Sequence, residues 1–214
     1  MEEKYIYIGI IAVVVIGIGA LCFLMLGDNS DGFYSNLDEA YYHYEKVEGA
    51  INESKNYVSA TSDDGIDRYI SLNEKRQKEL KLEKEYLNKA ADGANSKQKE
   101  YIDLLIKLNE IDYETAEENI KISEIEKQYT AGKISYGEYS AKYDTYADKS
   151  SDLDSEWFST LNKVSDFLMD NPEFESELES KTNVTSIYKG ISPYTISWFD
   201  IEEYLANYNI QAVI

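Results

Sequence analysis

One cysteine, one histidine and two prolines are all that these 214 residues contain of those types. Cys22 lies within an apolar run, so no disulfide can staple the polar remainder of the chain, which must hold together by packing. His43, in Tyr41-Tyr42-His43-Tyr44, leaves the usual zinc ligand sets unfilled. A di-iron bundle needs Glu-x-x-His twice, and position 40 is alanine. His43 therefore reads as a satisfied or solvated helical side chain. Pro172 and Pro193 both fall in the last fifth of the chain, so residues 33–170 carry no helix breaker of the strongest kind.

Catalytic signatures are missing as well. No P-loop, dinucleotide fingerprint, Gly-x-Ser-x-Gly or Ser-x-x-Lys stands in a strand-turn-helix setting. An EF-hand loop with Gly32 at its sixth position would need an acid at residue 27, which is glycine, and glutamate at residue 38, which is aspartate. Asp148, Asp152, Asp154 and Glu156 cluster in sequence, but Asp148, Asp152 and Asp154 do not share one helix face. No catalytic, cofactor-binding or metal-ligating residue is assigned, and no cofactor is expected.

Positive charge is scarce: 21 basic residues stand against 41 acidic ones, a formal net charge of −20. Without Glu2, Glu3 and Lys4, the remaining 39 acidic and 20 basic residues still carry −19. Such a field repels phosphate backbones and anionic lipid, and it attracts cations and basic partners. Nucleic acid is excluded as a partner. The same charge also serves to keep a domain soluble.

What is present begins with YIYIGIIAVVVIGIGALCFLML, which opens on Tyr5, closes on Leu26 and has no charge between Lys4 and Asp28. At 1.5 Å per residue it reaches about 33 Å, enough to cross a hydrocarbon core of roughly 30 Å. A cleaved signal peptide would want a basic leader, a shorter run and a small-x-small site. MEEK is not basic, and Leu21 stands where a lipoprotein signal wants a small residue. The run is thus expected to be an uncleaved single-pass anchor. Lys4 flanks one end and the next basic residue after the run is Lys46, which places the N-terminus inside and residues 28–214 outside the cell membrane. Gly9, Gly17 and Gly19 do not form G-x-x-x-G, so the anchor has no dimerisation motif.

Helical periodicity fills the next part of the chain. Residues 27–34 read as a polar stalk. A first helix, from about Ser35 to Ser59, has its stripe on Leu37, Tyr41, Tyr44, Glu48, Ile51 and Val58. A second, capped within Thr61-Ser62-Asp63-Asp64-Gly65 and reaching about Ala91, uses Ile66, Tyr69, Ile70, Asn73, Gln77, Leu80 and Leu87. Its two amides predict a polar layer that fixes register, or a poorly buried helix. A third spans Ser96 to Tyr129 on a near-heptad from Tyr101 to Tyr129, and stops where Gly132 can take the left-handed conformation.

Ser135 and Glu138 then form a capping box, with Ile134 and Tyr139 as a hydrophobic staple, so a fourth helix starts at Tyr136 and ends near Asp170, ahead of Pro172. The stretch AGKISYGEY is similar to the Gly-x-Ile-[Ser/Thr]-x-x-Glu-aromatic turn of short helical-hairpin domains, a resemblance that implies a helical turn and no activity. Short loops make the neighbours antiparallel.

The expected architecture is all-α: a cytoplasmic N-terminus at 1–4, a transmembrane helix at 5–26, a stalk at 27–34, an elongated antiparallel bundle of four long helices at 35–170, and a small irregular or helical tail at 171–214. In the tail, Asn171-Pro172-Glu173 can start a short helix, residues 194–198 alternate at period two, and Asp200 and Glu203 can cap a two-turn helix. An even number of antiparallel helices returns the chain to the membrane. Tyr194, Trp198, Phe199 and Tyr208 are therefore interface candidates, either against the bundle or at the outer leaflet.

Twenty tyrosines are the compositional outlier. Tyr41, Tyr101, Tyr139, Tyr143 and Tyr146 fall on core stripes, whereas Tyr42, Tyr136 and Tyr208 are surface candidates. Two sequons occur, at Asn183 and Asn52; Asn183 is the better acceptor because Asn52 sits within a helix. These features imply a noncatalytic, extracytoplasmic binding or scaffolding module. Its expected partners are the membrane and an envelope protein or glycan, with self-association open to it as well. The alternative is a cell-envelope enzyme or glycan-modifying factor using dispersed carboxylates and tyrosines; a cleft with convergent acids would favour it, a filled core would not.

Overall fold

The computed structural model of the chain describes residues 29–58, 60 and 62–182. Among them stand five helices and no strand: α1 Asn29–Ser54, α2 Asp63–Asp92, α3 Ser96–Thr130, α4 Tyr136–Asp170 and α5 Pro172–Lys181. The apolar run at 5–26 lies outside the described residues, as do Asn183, Tyr194, Trp198, Phe199 and Tyr208. No helix among the described residues is long and apolar enough to cross a membrane.

The helix borders follow local chemistry. The Ser62 hydroxyl accepts from the Gly65 amide at the start of α2. Asn95 and Gln98 form a capping box at the start of α3, one residue ahead of the expected Ser96. After α3, Gly132 takes φ +67°, Lys133 N–H donates to Gln128 and Gly132 N–H to Tyr129, which is the Schellman pattern. At α4 the Glu138 amide donates to the Ser135 hydroxyl at 3.3 Å, and the Ser135 amide donates to the Glu138 carboxylate at 2.8 Å. That bond to Ser135 holds Glu138 below the usual carboxylate range. Ser135→Ala is expected to cost about 1 kcal/mol in urea unfolding followed by far-UV circular dichroism. An unchanged midpoint would mean that the first turn of α4 is already frayed.

The stalk expected at 27–34 is corrected. α1 begins at Asn29, and Phe33 and Tyr34 are buried. Gly32 costs a helix about 1 kcal/mol, but burying two aromatic side chains outweighs that several-fold. At its other end α1 stops at Ser54, and Val58, expected on the stripe, is exposed in the turn that follows.

The four long helices form a packed bundle in which each lies antiparallel against its neighbour in sequence. Ion pairs mark the register. Lys84 meets Glu110 at 2.8 Å near the middle of α2 and α3, while Asp67 at the start of α2 meets Lys127 at the end of α3. Arg68 pairs with Glu53 between α2 and α1, and Lys107 with Glu156 between α3 and α4. These exposed pairs contribute little each.

Two ends follow from this topology. At the entry end the chain comes in through α1, and α4 finishes there. Phe174 of α5 touches Phe33 of α1, Tyr101 of α3 and Phe167 of α4, with centroid separations of 6.5, 5.3 and 5.7 Å. The Glu177 carboxylate faces the Tyr34 hydroxyl and Lys181 lies 4.8 Å over the Tyr34 ring. Burial, with that carboxylate beside it, pushes Tyr34 up to about 12. The far end carries the close of α1, the start of α2, the close of α3 and the start of α4.

Candidate functional site

Two places gather chemistry-bearing side chains. The first is a polar layer across the middle of the bundle. On α2 the buried positions are Ile66, Leu72, Asn73, Arg76, Leu80, Glu83, Leu87 and Ala90, so Arg76 and Glu83 occupy core positions that the apolar pattern had passed over. Tyr69, Ile70 and Gln77, expected on that stripe, are only half-buried. The Arg76 guanidinium donates to Asp112 of α3 at 2.7 Å, with both side chains about nine-tenths buried. Asn109 donates to the Glu83 carboxylate and to the Leu80 carbonyl, each at 2.9 Å. Tyr44 of α1 and Asp154 and Trp157 of α4 face the same charges.

The electrostatics of this layer are dominated by loss of water. Burial pushes the Asp112 carboxyl up, against the pull of Arg76 and of the Trp157 indole N–H that faces it. Burial also raises Tyr44, helped by Asp112, Glu48 and Glu83 and opposed by Arg76. Asp154 and Glu48 rise for the same first reason. Arg76 Nε and Trp157 Nε1 are buried without a well-formed hydrogen bond to any acceptor. Convergent acids with shifted pKa values mark many active sites, and also structural ion-pair networks. Here Arg76, Glu83, Asn109 and Asp112 are packed inside the bundle, whereas Glu48 is half-buried and Asp154 is exposed on the surface of α4. A shallow open groove between α2 and α3, lined by Leu80, Lys84, Asn109, Glu110 and Tyr113, reaches Asn109 but is not lined by Arg76 or Asp112. A second charge cluster, with Glu118 accepting from Lys121 and Lys149 at 3.0 and 2.9 Å, ties α3 to α4. Those lysines overcome burial and hold Glu118 below its ordinary range.

The second place is the far end. Tyr129 stacks on Tyr139 with centroids 4.8 Å apart, and Tyr136 and Tyr143 flank the pair at 6.1 and 5.7 Å. Tyr136 is 68% exposed, Tyr143 40% and Tyr129 39%. The expectation that Tyr143 serves the core is thus corrected, and Tyr139 and Tyr146 are only half-buried. The reason is the packing order. Among the described residues α4 has α3 as its only long-helix neighbour with extensive contact, and none of its residues before Leu153 is buried. Tyr41 and Tyr101 are buried as expected, and Tyr42 and Tyr136 are exposed as expected.

The remaining candidates fall as follows. His43 is buried, bonded through Nδ1 to Glu79 at 2.8 Å and stacked on Tyr86 at 5.6 Å. Burial would raise Glu79, yet His43 and Lys46 hold it below the usual carboxylate range. Asn52 is exposed in the last turn of α1 and accepts from Lys55 at 3.0 Å. Among the described residues no three His, Cys, Asp or Glu side chains converge as metal ligands would. Compared with family models, curated proteins and solved structures, the chain matches none.

Proposed function

We propose that this chain is a noncatalytic, single-pass, extracytoplasmic helical module that holds a partner-binding aromatic surface away from the cell membrane. The observation that carries the reading is the opposition of the two ends. The described chain enters at α1 and leaves after α5 on one end, where Phe33 and Phe174 meet, and the exposed tyrosines stand on the other. A helix of 35 residues, the length of α3 and of α4, separates the ends by about 50 Å. The apolar run at 5–26 precedes α1 directly in sequence, and Lys4 is the one basic residue near it. Residues 183–214 follow α5 from that same entry end, which supports an anchor and tail that meet near the outer leaflet.

The test is made in intact cells. A cysteine in place of Ser151, an exposed residue of α4, is expected to react with a membrane-impermeant maleimide. A photo-crosslinking amino acid at position 136 is expected to yield a discrete adduct that the same reagent at position 103, exposed on α3, does not. Protection from the maleimide, or identical adducts from both positions, would overturn the reading.

A further inference from the structure

Four tyrosine faces elsewhere on the molecule are met by the chain's own cations. Lys46 lies 3.9 Å over Tyr42, Lys89 4.3 Å over Tyr86, Lys81 5.4 Å over Tyr113 and Lys181 4.8 Å over Tyr34. The far-end cluster differs from these four. Among the described residues no lysine or arginine lies over Tyr129, Tyr136, Tyr139 or Tyr143. The nearby cations have other places: Lys127 is engaged by Asp67, Lys142 acts on Glu138, and Lys133 lies in the turn.

A second and independent observation concerns Glu126, one turn before Tyr129 on α3. It is half-buried, it acts electrostatically on Tyr139, and among the described residues it has no ion-pair partner. Burial alone raises its carboxyl, with no cation among the described residues to oppose the rise. A half-buried carboxylate that acts on Tyr139, whose ring stacks on Tyr129 and neighbours Tyr143, presents the two features that attract a cation at close quarters, a charge and the negative face of the π-system. The net charge of −20 draws the same class of ligand from a distance.

We propose that Glu126 and the ring faces of Tyr129, Tyr136, Tyr139 and Tyr143 form a site for the Arg or Lys side chains of a basic polypeptide partner. A planar guanidinium stacks on an aromatic face and bonds a carboxylate at once, so arginine fits better than lysine. A second copy of this chain is disfavoured as the occupant by like-charge repulsion. The proposal rests on the partner-binding reading given above and names the chemistry of the partner.

The full chain in nanodiscs of neutral lipid is titrated calorimetrically at 0.15 M salt with a blocked Gly-Arg repeat octapeptide, against a Gly-Gln repeat as neutral control. The joint variant Tyr136→Ala with Tyr143→Ala is expected to weaken Gly-Arg binding about tenfold. Glu126→Gln is expected to weaken it about threefold. The joint variant Tyr136→Phe with Tyr143→Phe keeps the ring faces and is expected to stay within about twofold of the unaltered chain. Equal affinity of the alanine and unaltered chains would overturn the proposal, because binding would then be diffuse attraction to the acidic surface. Equal loss in the alanine and phenylalanine chains would also overturn it, since hydroxyl hydrogen bonds, as to a glycan, would be the operative contact. Either result beside a discrete crosslink from position 136 leaves the partner-binding reading standing, so the two failures are distinguishable.

Discussion

Arg76→Met lowers the free energy of unfolding by about 3–5 kcal/mol at neutral pH, because it leaves the Asp112 carboxylate buried without its partner. The second variant separates the pair from its parts. Arg76→Met together with Asp112→Leu removes both charges, and is expected to recover most of the loss or to exceed the original stability, since packed apolar residues replace an ion pair whose desolvation was costly. Urea unfolding followed by circular dichroism measures both. A single variant within 1 kcal/mol of the unaltered chain would show that water reaches Asp112 readily, contrary to its burial.

The pH dependence gives that prediction a second readout. Burial raises the Asp112 pKa in the fold, so the folded state holds its proton more firmly than the unfolded one. The stability from this group is fully present below its ordinary value of 3.8 and is lost as pH rises through the raised value. Arg76 limits that rise. Without Arg76 the folded pKa climbs further, and the destabilisation is therefore largest at neutral pH and shrinks on acidification, as protonation removes the unpaired charge. Glu79, Glu118, Glu138 and Glu177 are lowered in the fold and work in the opposite sense. Their contribution is present above the ordinary value of 4.5 and is lost as pH falls through the lowered ones. The comparison must therefore be between variant and unaltered chain at each pH.

Phe174→Ala releases the short helix that closes the entry end. The side chain is 4% exposed and joins α1, α3 and α4, so truncation removes contacts worth about 3–5 kcal/mol. A ten-residue helix cannot stand alone, and most of that loss is expected as local undocking. Amide hydrogen exchange across residues 172–181 should accelerate by at least a hundredfold while the amides of α2 and α3 keep their protection. Uniform acceleration throughout the bundle would show that α5 unfolds only with the whole molecule. With α5 undocked, Tyr34 loses both Glu177 and Lys181, and the chain no longer leaves beside α1.

Much of this was readable in the residues. The box of Ser135 and Glu138, the left-handed Gly132 and the stop before Pro172 are chemistry within a few positions, and each stands where the spacing placed it. The polar layer was legible in kind from Asn73, but Arg76 and Glu83 were missed, because a charged residue at a core position is sensible only if its partner is known. That partner, Asp112, lies 36 residues away. The signal was nevertheless present: Ile66, Asn73, Arg76, Leu80, Glu83, Leu87 and Ala90 follow the three-and-four spacing of one helix face more closely than the apolar residues do alone.

The tyrosines divide along the same line. Local sequence determined that Tyr139 and Tyr143 share a face with Leu153, Leu161 and Val164, since helical period depends only on residue order. It could not say how far along that face a second helix would lie. The bundle decided it: among the described residues α1 packs on α2 and leaves the first half of α4 with α3 alone, so one continuous stripe is core at one end and exposed aromatic surface at the other. The amino-acid order thus determined the helices, their caps and the acidic character of the chain, which are local or summed properties. Burial of Arg76 beside Asp112, docking of α5 on α1 and exposure of the far tyrosines came only with tertiary structure, because each depends on residues that chain order keeps far apart.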